Sequence, residues 1–194
     1  MQLRSVKKPK LSKKFGPTCI ETYSGTVFDV VKPDSSLISP EDIAHSLSLQ
    51  CRFNGHTDNF YSVAEHSIRV HDAIAYDDHV ADFRIAGLLH DASEAYVCDI
   101  PRPLKKALPS YVEIEKKVQE EVWRRFNVVI TEGTEQVVKA YDQMLLCAEA
   151  KCLMPSGGED WGYDIKGRDI FIVPMLPNVA KREFLYRLSL YGLY

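Results

Sequence analysis

The sequence has little of almost everything that would place it in a specialised class. Across 194 residues the formal charge is only −3, so no bulk attraction to nucleic acid or to an anionic membrane is implied. No apolar run approaches the ~20 residues of a membrane-spanning helix. The first residues are lysine-bearing rather than the apolar core of a secretory leader, so a cytoplasmic protein with no membrane partner is expected. The five cysteines (Cys19, Cys51, Cys98, Cys147 and Cys152) are scattered without a C-x-x-C pair, which suits reduced thiols and argues against a cysteine-based zinc site. Repeats and low-complexity tracts are missing too. What remains is a 45% hydrophobic chain, enough for one core. It divides into a basic arm over residues 1–14, carrying Arg4, Lys7, Lys8, Lys10, Lys13 and Lys14, and a single domain over 15–194. The arm reads first as a solvated terminus and only second as a nucleic-acid contact.

The patterning predicts an all-α helical bundle with one small N-terminal β-hairpin. Cys19 to Val30 alternates around Ser24-Gly25 as a hairpin should. Ser39-Pro40-Glu41-Asp42 opens a helix. Ser62-x-x-Glu65 is a capping box that starts a second helix at Val63. A third helix is expected from about Val80 to Tyr96, followed by a stiff loop in which Pro101 and Pro103 forbid regular structure. Tyr111–Phe126 carries an Ile114, Val118, Val122, Phe126 stripe. A long helix begins at Thr131 or Thr134 and reaches about Met154, and a last one starts near Val179. The loop from Pro155 to Gly162 is the best candidate for a mobile or oligomer-facing segment. The tyrosine- and leucine-rich end (Leu190, Tyr191, Leu193, Tyr194) is compatible with a homo-oligomer.

Chemistry concentrates in Phe83–Lys105. His90 and Asp91 stand side by side at the end of an apolar segment, with Glu94 one turn on. A sequestered His-Asp pair needs something to neutralise and orient it, and a divalent cation does so. His66, His90, Asp91 and Asp142 come from three separate predicted helices. As a mixed nitrogen and oxygen set they suit Zn²⁺, Mn²⁺, Fe²⁺ or Co²⁺ better than Ca²⁺. Glu94 is placed as general acid or base, or to orient a water. Arg52, Lys105 and Lys139 are the expected phosphate-binding residues, and Phe53 could stack on a base. A second dipeptide, His71-Asp72, sits about 140° round the helix from His66. It is read as a decoy, with His71 and His79 on the surface; His45 is read as structural.

With AEHS at 64–67, LLHDASEAY at 88–96, DIPRPLK at 99–105 and KAYD at 139–142, the chain resembles the HD-domain phosphohydrolases over roughly Gly25 to Met154. The branches it is most similar to are the bacterial 5′-deoxynucleotidases and the phage dATP triphosphohydrolases linked to 2-aminoadenine DNA. The resemblance implies an HD-type helical bundle, His66, His90, Asp91 and Asp142 as metal ligands, and Glu94 as the catalytic glutamate. It implies Asp99 as a second catalytic residue, although Asp99 does not separate the two branches. It also implies Arg52, Lys105 and Lys139 on phosphates, with Phe53, where relatives carry tryptophan, and Pro103 at the base. Arg52 fits with a one-residue slip in its spacing to His66. A phage-encoded protein of this kind would act in the host cytoplasm.

Three functions follow as expectations. The first is a dNTP triphosphohydrolase, preferring dATP, that uses a Zn²⁺, Co²⁺ or Mn²⁺ ion, with Mg²⁺ as a further ion accompanying the triphosphate. Water attacks the α-phosphorus and triphosphate leaves; three cations suit a triphosphate. The second is a 5′-deoxynucleotidase acting on dNMPs. The third is a metal-bearing nucleotide- or nucleic-acid-binding module without turnover, disfavoured by the intact Glu94.

Overall fold

A computed structural model of the chain describes residues 15–78, 80–159, 161–162 and 170–194. The basic arm and His79 lie outside the described residues. The structure is mostly helical with a small N-terminal hairpin, as the patterning predicts. Strands β1 (Cys19–Glu21) and β2 (Val27–Asp29) pair antiparallel, Ile20 opposite Phe28. Helices α1 (Pro40–Leu49), α2 (Val63–Tyr76), α3 (Ala81–Leu89), α4 (Glu94–Val97), α5 (Arg102–Ala107), α6 (Pro109–Arg125), α7 (Glu132–Leu153) and α8 (Pro177–Ser189) follow. No helix among the described residues is long and apolar enough to cross a membrane.

The turn of the hairpin is pinned to α1. Asp42, expected only to favour the helix dipole, is buried and accepts from Ser24 N and Oγ at 2.7 and 2.9 Å. Phe28 then enters the main core with Ile43, Leu47, Ile68, Leu88, Leu89, Val118, Val122, Phe184 and Leu188. The predicted α6 stripe and the buried positions of α8 are thus in place.

Helix α2 is the centre of the bundle, packed against α1, α3, α7 and α8. Its contact with α3 is close at Gly87, where a Cβ would stand 2.6 Å from Ile74 Cδ1 and 3.3 Å from Val70 Cγ1. Only a residue without a side chain lets the helices approach so far, and that approach carries His90 to His66. Ser62 caps α2 by accepting from Glu65 N at 3.1 Å. The capping box is completed at α7 instead, where Thr131 and Thr134 exchange bonds. Glu65 turns away from Ser62 to Arg69 and to Met175 N, at 2.7 and 2.6 Å, tying the 170–176 segment to α2.

Three expectations need correction. The helix expected to run from Val80 to Tyr96 ends at Leu89, and α4 starts only at Glu94; the chain turns where its polar side chains need to converge. The expected proline loop is helical over Arg102–Ala107, with Pro103 in the first turn, where its missing N–H costs no intrahelical bond. His71 is 4% exposed and not on the surface, because α8 and Tyr191 cover it.

Candidate metal centre

Four side chains from α2, α7 and the α3–α4 turn meet at one point. Nε2 of His66 lies 3.3 Å from Nε2 of His90. Oδ2 of Asp91 lies 3.2 Å from His90 Nε2 and 3.7 Å from His66 Nε2. Oδ1 of Asp142 lies 3.2 Å from His66 Nε2 and 4.0 Å from His90 Nε2. Donor atoms of His66, His90 and Asp91 all fall within 4.8 Å of one another, a grouping that can hold a metal ion.

The far side of each imidazole fixes which nitrogen faces inward. His90 Nδ1 is 2.8 Å from the Gly87 carbonyl, which can only accept, so Nδ1 carries the proton. His66 Nδ1 is 2.7 Å from Glu149 Oε1, which also accepts from Tyr61 OH at 2.8 Å. In the neutral rings both Nε2 lone pairs therefore point at each other and at two carboxylates. Acceptors facing acceptors repel unless a cation stands among them. Nitrogen and carboxylate oxygen donors of this kind could hold a metal ion.

The electrostatics agree. Burial, the largest influence, and Arg52 both oppose a charged His66, yet Glu149 and Asp142 outweigh them and push the ring up to about 9. Burial also opposes ionised Asp91, but His90, His66 and Arg52 hold it well below the usual carboxylate range. Asp142, likewise working against burial, is lowered to about 2 chiefly by His66. The carboxylates of Glu149, Asp91 and Asp142 thus favour positive charge at the centre, against burial and Arg52.

Beside it opens a cavity of about 460 Å³. Its polar floor is Arg52, Asp91, Glu94, Asp99, Lys105 and Asp142; its apolar wall includes Ile100, Pro103, Leu146 and Trp161. Arg52 is turned inward by a pinched loop. Its N–H donates to Tyr61 O at 2.8 Å, and Phe53 and Asn54 take left-handed φ values of 54° and 52°, a strained conformation for a bulky aromatic. The guanidinium then lies between Glu149 (Nε to Oε2, 3.2 Å) and Asp91 (Nη1 to Oδ2, 3.6 Å).

Glu94 is almost fully buried. Oε1 accepts from Lys105 Nζ at 3.1 Å, while Oε2 has no hydrogen-bond partner among the described residues. Burial, then Asp91 and Asp99, push this carboxyl well above its ordinary value despite Lys105. Burial and Asp91 likewise raise Asp99, whose N–H donates to Gln50 Oε1 at 3.0 Å.

The structure thus gathers His66, His90, Asp91, Asp142, Glu94, Asp99, Arg52, Lys105 and Pro103. It separates two expected residues from that cavity. Lys139 is exposed and lines a different cavity of about 340 Å³ with His90, Trp123, Thr134 and Asp142. Phe53 does not line the cavity; its ring centroid is 6.0 Å from that of Trp161. Lys105 arrives already engaged, with Glu115 Oε1 at 2.6 Å in addition to Glu94. Sequence reasoning missed Glu149, Trp161, Leu146 and Arg102, whose Nη2 lies 2.8 Å from Asp142 Oδ2. Glu149 alone had a signal: it follows Asp142 by seven residues, two turns along one helix face.

No family model matches the sequence. The chain is similar to the uncharacterized protein YfdR of Escherichia coli (strain K12), with 34% identity over 173 residues, covering 88% of this chain and 93% of that protein. It is also 36% identical over 135 residues to the uncharacterized protein RCAP_rcc00048 of Rhodobacter capsulatus, covering 66% of this chain and 69% of that one.

Proposed function

The chain belongs to the family of the Escherichia coli protein YfdR, and from that premise we propose that it is a divalent-metal phosphohydrolase of the HD type acting on deoxynucleotides. One observation carries the reading. Four lone-pair-bearing atoms, from His66, His90, Asp91 and Asp142, converge at the edge of a cavity whose floor is cationic and carboxylic and whose wall is apolar. A nucleotide has that same division, phosphate at one end and a flat base at the other.

A bound divalent ion would polarise a phosphoryl oxygen and lower the pKa of an attacking water. The protein's own residues supply the rest. Glu94, with one oxygen anchored by Lys105 and the other unpartnered, orients that water or passes a proton to the leaving oxygen. Burial and the neighbouring carboxylates raise its pKa, which favours the protonated form. Arg52 and Lys105 draw phosphate oxygens to the floor, and Asp99 stands across from them. Trp161, Leu146 and Pro103 exclude water from the base and offer it a stacking face. Trp161 takes the place that Phe53 was expected to fill.

We read the substrate first as a deoxynucleoside triphosphate, preferring dATP. A triphosphate needs more cationic partners than Arg52 and Lys105, and Lys139, in a neighbouring cavity that shares Asp142, would supply one. The occupied state of Lys105 favours a second reading, a 5′-deoxynucleotidase, because a monophosphate needs fewer cationic partners. Product analysis decides. Purified protein is incubated with Co²⁺ or Mn²⁺ and a panel of dNTPs and dNMPs. Inorganic triphosphate and deoxynucleoside from a dNTP establish the first reading, and phosphate from dNMPs alone establishes the second. No product from any of them overturns both.

A further inference from the structure

We propose that Glu149 is the positioning residue that makes His66 a metal ligand, clamping its ring in the Nδ1–H form so that the Nε2 lone pair is always presented to the centre. The proposal deepens the metal reading above and rests on it. Glu149 is fully buried in α7, and an ionised carboxylate is costly in such a place unless several groups hold it. Three do. Oε1 takes Nδ1–H of His66 at 2.7 Å and the Tyr61 hydroxyl at 2.8 Å. Arg52 faces Oε2 with Nε at 3.2 Å.

This is more machinery than a bundle core requires, since a leucine here would pack without any charge to compensate. The geometry explains its presence. An imidazole with no partner at Nδ1 is free to put its proton on Nε2, and a ring protonated there cannot bind an ion. A carboxylate at Nδ1 removes that choice, fixes the ring plane and raises the basicity of Nε2. The second histidine is secured more weakly, by the neutral carbonyl of Gly87. His66 is thus the ligand whose orientation has been built most heavily. Arg52 adds a link: held against both Glu149 and Asp91, it keeps the orienting carboxylate and one ligand carboxylate in fixed relation.

The test compares Glu149→Met, close in volume but unable to accept, with Glu149→Gln, whose amide oxygen can still take the Nδ1 proton. The probe is Co²⁺ alone, with no substrate. Affinity is measured by titration, and the proton spectrum of the Co²⁺-loaded full chain reports slowly exchanging, shifted ring N–H signals of the coordinating histidines. For Glu149→Met the expected result is a loss of about 10- to 100-fold in Co²⁺ affinity, with disappearance of one of the two ring N–H signals. Glu149→Gln should recover both most of the affinity and the signal. Thermal unfolding of both metal-free variants serves as the control for folding. Unchanged affinity and both signals in a folded Glu149→Met protein would overturn the proposal while leaving the metal reading intact. Equal losses in Met and Gln variants would also overturn it, since only packing would then be at stake. A wild-type protein that takes up no Co²⁺ would overturn the metal reading and this proposal with it.

Discussion

The chain spells His-Asp twice, and the two copies have opposite fates. His71-Asp72 sits on α2 and His90-Asp91 where α3 ends, so the two dipeptides stand in neighbouring helices of one bundle. In the first, every valence is met by protein. His71 Nδ1 bonds Asp72 Oδ1 and Nε2 bonds Tyr191 OH, both at 2.8 Å, while Arg187 grips both oxygens of Asp72 at 2.8 and 2.6 Å. In the second, Nδ1 is satisfied by a carbonyl, but Nε2 and the carboxylate face other acceptors. The first copy is a closed circuit that fastens the C-terminal end to α2. The second is an open one, and with His66 it forms a group that could hold a metal ion. Chemistry here follows unmet valence, and the dipeptide by itself says nothing about it.

The most severe way to break the contrast is to remove a ligand from the open copy and its equivalent from the closed one. His90→Ala or Asp142→Ala should strip metal and lower phosphohydrolase turnover by on the order of 10³-fold or more, since the attacking water loses its activation. His71→Ala should leave metal content and rate near normal. Metal analysis of the purified variants, together with rates, checks both arms. Full occupancy in Asp142→Ala would remove Asp142 from the ligand set.

Next in size is Glu94→Gln, which alters the chemistry without altering the acceptors that define the centre. Metal should stay bound while kcat falls by about 10²- to 10⁴-fold, the range for loss of a general acid or base. A near-normal rate would take Glu94 out of the mechanism. Trp161→Ala should act differently again, raising KM about 10-fold with little change in kcat, because stacking a base is worth roughly 1–3 kcal/mol. A parallel measurement with a base-free phosphate ester should show no such penalty; if it does, the wall is only structural.

Much of this difference was legible before the fold was seen, and the reason is periodicity. His66, His90, Asp91 and Asp142 converge from α2, α7 and the turn that ends α3, and Glu94 follows Asp91 through that turn, its N–H donating to the Asp91 carbonyl at 3.0 Å. The decoy was separable from His66 by its angle on α2. Its surface assignment failed because burial of His71 depends on Tyr191 and Arg187, more than 100 residues away, and no local pattern carries that. Lys139 and Phe53 stand outside the cavity of Arg52 and Glu94 for a related reason. Offsets along a helix say that Lys139 is near Asp142, but not on which side of the ion its cavity opens. Phe53 and Asn54 take a left-handed turn that no local pattern announces, and it is Trp161, 6.0 Å from the Phe53 ring, that lines the cavity. Glu149 was overlooked because a glutamate in a long amphipathic helix reads as solvated until its neighbours are known.

The smallest expected effect tests the closed copy through pH. Partial burial opposes ionisation of Asp72, but His71 and Arg187 outweigh it and hold the carboxyl below its ordinary value. An unfolded aspartate titrates at about 3.9, so the pair's contribution is complete above that pH and is lost as the pH falls through the lower folded value. Arg187 stays charged throughout. Asp72→Asn should therefore cost ~0.5–1 kcal/mol at neutral pH, a modest sum because about half of the Asp72 side chain is exposed and water screens the pair. The gap should close as the pH is lowered below about 4. Urea unfolding of the wild type and Asp72→Asn in steps from pH 7 downward measures it, with metal content followed in parallel at neutral pH. A gap that persists unchanged in acid would mean that the lock works by shape and hydrogen bonding rather than charge. Metal lost from Asp72→Asn at neutral pH would mean that the closed and open copies are coupled through α2, and the separation drawn between them would fall.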